Sequence, residues 1–156
     1  MSTLERAIAI AAEAHSGQVD KAGAPYILHP LRVMQKAFRV DEPDVGVVAV
    51  LHDVVEDCPR WPIERLSCAG FSPAVIEALD ALTRRKGEAY QDFVARCGKN
   101  RIATIVKLAD LEDNMDLGRL TIITPRDEAR QERYRKARAA LTSPLALDGR
   151  AEAPPA

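Results

Sequence analysis

The segment Leu51-His52-Asp53-Val54-Val55-Glu56-Asp57 holds the densest chemistry in the chain. Read as one continuous helix, it makes His52 and Glu56 i,i+4 neighbours, and likewise Asp53 and Asp57, so the four form a polar stripe. An imidazole and several carboxylates held this close beside a core repel one another and resist desolvation. A bound divalent cation removes that conflict, because its charge is what the carboxylates neutralise. The bland alternative is a helix leaving the core for solvent, with His52 a surface or satisfied residue. Two other segments bear on the choice. Pro25-Tyr26-Ile27-Leu28-His29-Pro30 pins a histidine between prolines at a helix entrance. In Val106-Lys107-Leu108-Ala109-Asp110-Leu111-Glu112-Asp113-Asn114, Asp110 and Asn114 share a face adjoining the apolar row Ile102, Ile105, Val106 and Ala109. A carboxylate on the shoulder of a buried helix wants a counter-charge.

These groups need elements to bring them together. Ser2 or Thr3 can cap a first helix to about His15, with Leu4, Ala7, Ile8, Ala11 and Ala12 on one face. Gly17 to Pro25 reads as a polar loop, and Pro30 suits the first turn of a second helix to about Phe38. Asp44 begins a third helix whose run Val45 to Leu51 is apolar on every side, which places it in the middle of a domain. A short segment follows near Ile63 to Leu66, then helices from Ser72-Pro73 to about Leu82 and from Tyr90 to Arg96. Two more run from Lys99 or Asn100 to about Met115 and from Thr124-Pro125 to about Leu141. The expectation is an all-α, single-domain bundle over residues 1–142, with 143–156 a disordered tail. Val45 to Leu51 and Ile102 to Val106 are β-branched enough to pass for buried strands instead.

Composition narrows the function. At 156 residues, 47% apolar and 29% charged, the chain suits one domain with a core, and 4% aromatic content makes that core aliphatic. With 22 basic and 23 acidic side chains, no global field recruits nucleic acid or an acidic membrane. The longest apolar run is too short to cross a bilayer, and Met1 to His15, with Glu5, Arg6 and Glu13, does not read as a targeting signal. Three cysteines without CxxC spacing argue against a disulfide framework or a thiolate zinc site, so a reduced cytoplasmic protein is expected. Arg84-Arg85-Lys86 is explained by its place at a helix C-terminus, and Arg126 to Arg138 by interleaved acids on a solvated face. Oligomeric state stays open, since an Ala-rich bundle shows the same apolar faces to a core or a partner.

His29, His52-Asp53 and the distant Asp110 resemble the H…HD…D signature of the HD-domain metal-dependent phosphohydrolases. More narrowly, Ala14-His15-Ser16-Gly17-Gln18, Lys21, the Pro25 to Pro30 segment, His52 to Asp57 and Lys107-Leu108-Ala109-Asp110 resemble the hydrolase domain of RelA/SpoT-type alarmone enzymes. In size the chain is similar to the stand-alone small alarmone hydrolases, and the resemblance runs from about residue 4 to residue 140. It implies an all-helical fold of the HD-domain type and a single divalent ion, usually manganese (Mn2+), held by His29, His52, Asp53 and Asp110. Imidazole and carboxylate ligands suit a first-row ion with positions left open for water and phosphate oxygen. Glu56 and Asp57 match the family's catalytic acidic pair, one to orient or deprotonate water and one to protonate the leaving oxygen. The implied reaction removes the 3′-pyrophosphate of guanosine tetra- or pentaphosphate.

Departures fall on the substrate side. Asp20-Lys21 stands where the family has Arg-Lys, the arginine stacking on the base; Leu111 replaces an arginine after Asp110, and Asp116 replaces one after Asn114-Met115. Lys21, Asn114 and Tyr134 carry over as substrate contacts. Each also has a plainer reading: a loop lysine, a helix-end cap and a half-buried surface anchor. The departures keep open a hydrolase for another nucleotide, such as NADPH, an adenosine alarmone or a nucleoside monophosphate. A metal-containing regulatory module without turnover is the third reading. In each enzyme reading the partner is a small nucleotide, not nucleic acid or membrane.

Overall fold

The computed structural model describes residues 2–143, so the expected tail lies, from residue 144 on, outside the described residues. In chain order these form α1 (Leu4–Ala14), α2 (Leu28–Ala37), α3 (Pro43–Leu51), the single turn α4 (Val54–Asp57), α5 (Ile63–Cys68), α6 (Pro73–Leu82), α7 (Tyr90–Cys97), α8 (Arg101–Met115), a 3-10 turn (Leu117–Arg119) and α9 (Pro125–Thr142). Both β-branched stretches are helical, and among the described residues extended pairing is confined to the bridges Val19–Pro25 and Arg39–Glu42. No described helix is long and apolar enough to cross a membrane.

α3 organises the bundle. Every residue from Val45 to Leu51 is buried, and α1, α2, α6 and α8 pack around it. Where the end of α2 meets α3, Gly46 has no side chain for a reason: a Cβ there would lie 2.7 Å from Cδ2 of Phe38. The rest of the core is aliphatic, with Ile10, Leu66, Leu79, Leu111 and Leu141 fully enclosed. Each such side chain contributes about 1.5–3 kcal/mol on leaving water.

Local signals set the helix ends. Thr3, Ser72 and Asn100 accept the N–H groups of Arg6, Val75 and Ala103 at 3.3, 3.2 and 2.9 Å. Thr124 and Asp127 form a reciprocal capping box on α9. α2 starts at Leu28 and Pro30 falls in its first turn, as expected, where its missing N–H has no helical partner to lose. Cys58 and Cys97 are buried and Cys68 is exposed, all as free thiols; burial pushes the Cys97 thiol up to about 11.

The helix expected to run unbroken through Asp57 is interrupted. α3 stops at Leu51, His52 and Asp53 form a turn, and α4 restarts at Val54. The Ala49 carbonyl, which an unbroken helix would offer to the Asp53 N–H, instead accepts from Nδ1 of His52 at 2.7 Å. The supposed polar stripe is therefore interrupted: His52, Asp53 and Glu56 still line one cleft, and Asp57 does not.

Candidate metal centre

Four of the side chains singled out in the sequence converge where α2, the α3–α4 turn and α8 meet. His29 projects from the first turn of α2, His52 and Asp53 from the interrupted helix, and Asp110 from the middle of α8. Ligand atoms of His29, His52 and Asp53 lie within 4.8 Å of one another. Oδ1 of Asp110 is 3.2 Å from Nε2 of His29 and 3.6 Å from Nε2 of His52. Oδ2 of Asp53 is 3.5 and 3.2 Å from the same two nitrogens.

Ring orientation is set from behind. Nδ1 of His52 faces a backbone carbonyl and Nδ1 of His29 faces the Asp113 carboxylate at 2.8 Å. Both partners can only accept, so each Nδ1 carries its proton and, in the neutral ring, Nε2 offers a lone pair to the cluster. Nε2 of His52 is buried and makes no aligned hydrogen bond among the described residues. Two imidazole lone pairs facing two carboxylates, one nitrogen orphaned, is a donor set that fits a divalent first-row ion.

Without such an ion the charges must balance through protons. Burial opposes charging His29, but the hydrogen bonds of Asp110 and Asp113 and the charge of Asp53 outweigh it and push its pKa up to about 9. His52 moves the same way, again against burial, because of Asp53 and Asp110. Burial alone would raise Asp110; the Lys107 ammonium, 2.7 Å from its Oδ2, and the two imidazoles hold it well below the usual carboxylate range. Tyr26 donates its hydroxyl to Oδ2 of Asp53 at 2.6 Å, and burial beside that carboxylate keeps the phenol protonated as a donor.

The cluster opens into a cleft of about 290 Å³, with Glu56, Arg84, Tyr90 and Arg133 on its walls. A second cleft of about 310 Å³ adjoins it, and Tyr26, His29, Asn114 and Tyr134 line both. Glu56 accepts the backbone N–H of Arg84 at 3.1 Å. Asp57 does not line either cleft; its carboxyl is raised by burial and by the charges of Asp53 and Glu56. Asn114 does not cap α8. It donates to Oδ1 of Asp110 at 2.6 Å and so steadies a cluster residue. Lys21 lines the second cleft with its ammonium 2.6 Å from Asp127.

No family model matches the chain. It is similar to the guanosine-3′,5′-bis(diphosphate) 3′-pyrophosphohydrolase of Vibrio cholerae, at 30% identity over 74% of the chain, and to the GTP pyrophosphokinase of Streptomyces coelicolor, at 33% over 92%. A third relative is the bifunctional (p)ppGpp synthase/hydrolase SpoT of Escherichia coli, at 30% over 72%. The chain belongs to the RelA/SpoT family. The chain spans 18% of the length of the Vibrio protein and 17% of the other two, and hydrolase and kinase names both occur among them.

Asp20 and Asp116, the acidic departures from the family pattern, are tied up locally. Asp20 accepts the backbone N–H groups of Ala22 and Ala24 at 2.8 and 3.0 Å, and Asp116 accepts that of Gly118 and pairs with Arg119. Sequence reasoning gave no role to Tyr26, Lys107 or Asp113, and assigned Arg84 to the helix dipole. The signal for two of them was present: Lys107, Asp110 and Asp113 recur at i,i+3 on α8 and so share a face. Nothing local pointed Arg84 at Glu56, because that contact is made by a backbone N–H in a loop.

Proposed function

We propose that the chain is a metal-dependent phosphohydrolase of the HD-domain type, acting on guanosine tetra- or pentaphosphate and releasing the 3′-pyrophosphate. The observation that carries this reading is the convergence of two Nε2 lone pairs with the Asp53 and Asp110 carboxylates at the floor of a cleft that Glu56 enters. The names of the relatives support the nucleotide class. His29, His52, Asp53 and Asp110 would hold the ion, manganese by family resemblance. Bound there, it would lower the pKa of water and polarise the phosphoryl group.

In the reaction, water attacks the inner phosphorus of the 3′-pyrophosphate and the bond from that phosphorus to the ribose 3′ oxygen breaks. The proton given up by water is matched by one delivered to that oxygen. Glu56, which lines the cleft and accepts the Arg84 N–H, takes the proton in this reading. Asp57, off both clefts, acts on the centre through its charge beside Tyr26, which donates to Asp53. The cations divide the two clefts by role. In the second cleft Lys21, Arg32 and Arg119 are each matched by a carboxylate, which suits a nucleoside. In the first, Arg84 and Arg133 meet a carbonyl and aromatic rings, and their charge is available to phosphate.

The test is a manganese-supplemented turnover panel of guanosine tetraphosphate, its adenosine equivalent, NADPH and simple monophosphates, with Asp53→Ala as the inactive control. Pyrophosphate from the guanosine compound is the expected result. Phosphate from another nucleotide alone would keep the metal chemistry and replace the substrate; position 20, whose carboxylate is spent on its own loop, is the observation behind that second reading. Loss of turnover in Glu56→Ala with the ion still bound would dispose of the regulatory module.

A further inference from the structure

Asp113 sits one helical turn beyond Asp110 on α8 with its side chain 1% exposed, and it is the hub of a buried network. Its Oδ2 is 2.8 Å from Nδ1 of His29. Arg32, on the same helix as His29, forks onto it, Nε to Oδ1 at 2.9 Å and Nη2 to Oδ2 at 3.1 Å. Arg119 of the 3-10 turn adds Nη2 to the Asp113 backbone carbonyl at 2.8 Å and to Oδ2 at 3.3 Å. Every side chain that touches this carboxylate brings it an N–H donor, two of them guanidinium groups.

We propose that Asp113 is the positioning residue of the metal centre: clamped by Arg32, it fixes the tautomer and plane of His29 so that Nε2 faces the ion. The proposal rests on the reading of His29 as a ligand. The two histidines are oriented by unlike devices. His52 leans on the neutral Ala49 carbonyl, whereas His29 leans on a full negative charge. A carboxylate behind an imidazole raises its basicity as a ligand, and loss of such a partner typically weakens metal binding about 10–100-fold. Arg32 belongs to this device because its fork leaves the carboxylate a single orientation toward Nδ1.

The experiment measures Mn2+ affinity of metal-stripped full-length protein by calorimetry, wild type against Asp113→Asn, with the thermal midpoint of each with and without the ion. The expected result is an affinity loss of about 10–100-fold, with the rise in thermal midpoint on adding Mn2+ much reduced. A carboxylate serving only to staple α2 to α8 would cost the stripped and loaded protein equal stability and leave the affinity unchanged. That outcome overturns the proposal. If Asp113→Asn does not fold, nitrogen-15 NMR of wild-type protein loaded with Zn2+ decides: a proton on Nδ1 of His29 and none on Nε2 is expected, and a bare Nδ1 overturns it. A wild-type chain that takes up no divalent ion removes the functional reading together with this one. Unchanged affinity in an Asp113→Asn variant that still turns over removes this one alone.

Discussion

Tyr90 has a buried hydroxyl that finds no hydrogen-bond partner among the described residues, in the wall of the cleft that holds the four candidate ligands. An unsatisfied buried polar group costs about 1–3 kcal/mol, so Tyr90→Phe should stabilise the protein by about 1 kcal/mol, read as a higher urea midpoint. If the hydroxyl is kept for a substrate oxygen, the same variant should turn over several-fold more slowly. An unchanged rate would show that the hydroxyl takes no part. The ligand candidates His29, His52, Asp53 and Asp110 could be picked out from sequence because a histidine between prolines, an HD pair and a carboxylate beside an apolar row, none decisive alone, follow one another in the order of the HD-domain signature. Their supports were half legible: the i,i+3 spacing puts Lys107 and Asp113 on the face of Asp110, but that Asp113 meets His29 and Arg32 depends on how α2 packs on α8, which neither helix records.

At the scale of elements, the loop between α6 and α7 shows how a surface segment serves the cleft. Arg96 bonds both carboxylate oxygens of Glu88 at 2.9 Å and also the carbonyls of Asp80 and Thr83, while Glu88 accepts the Arg85 N–H. This frame presents the Arg84 N–H to Glu56. The Arg96 hydrogen bond, then that of the Arg85 backbone, lowers the Glu88 carboxyl from 4.5 to about 2. Its folded value lies below its unfolded one, so its stabilisation is present above pH 4.5 and is lost as pH falls toward 2. Glu88→Gln should therefore unfold more easily than wild type near neutrality, with the gap closing below pH 4.5; a gap constant with pH would contradict the pairing. Helix limits were legible because Thr3, Ser72, Asn100 and Thr124 announce them. The break at His52 was not, since periodicity carries no record of a side chain competing for the Ala49 carbonyl.

The whole molecule follows from one fact readable in advance, that Val45 to Leu51 has no polar face and must be enclosed. The all-α bundle around it was legible from periodicity and punctuation only once the family resemblance had decided Val45 to Leu51 and Ile102 to Val106 against strand; the loop that carries Asp20 and Lys21 closes on itself through Asp20 and reaches α9 through Lys21 and Asp127. Because the candidate ion would bind only the folded chain, it should stabilise the domain by about 2.7 kcal/mol at a concentration 100 times its Kd. Chelation should lower the thermal midpoint while leaving helical circular dichroism intact, since α3 and its neighbours pack without it. A collapse of helicity on chelation would instead make the ion part of the fold. His52 is anchored to the last turn of α3, the segment most thoroughly enclosed by other helices. The amide protons of that segment should be the slowest to exchange with deuterated solvent, opening only with the entire domain. One side of the candidate metal centre is therefore fastened to a part of the chain that local breathing does not reach, and local opening is left to less enclosed segments such as the loop bearing Arg84.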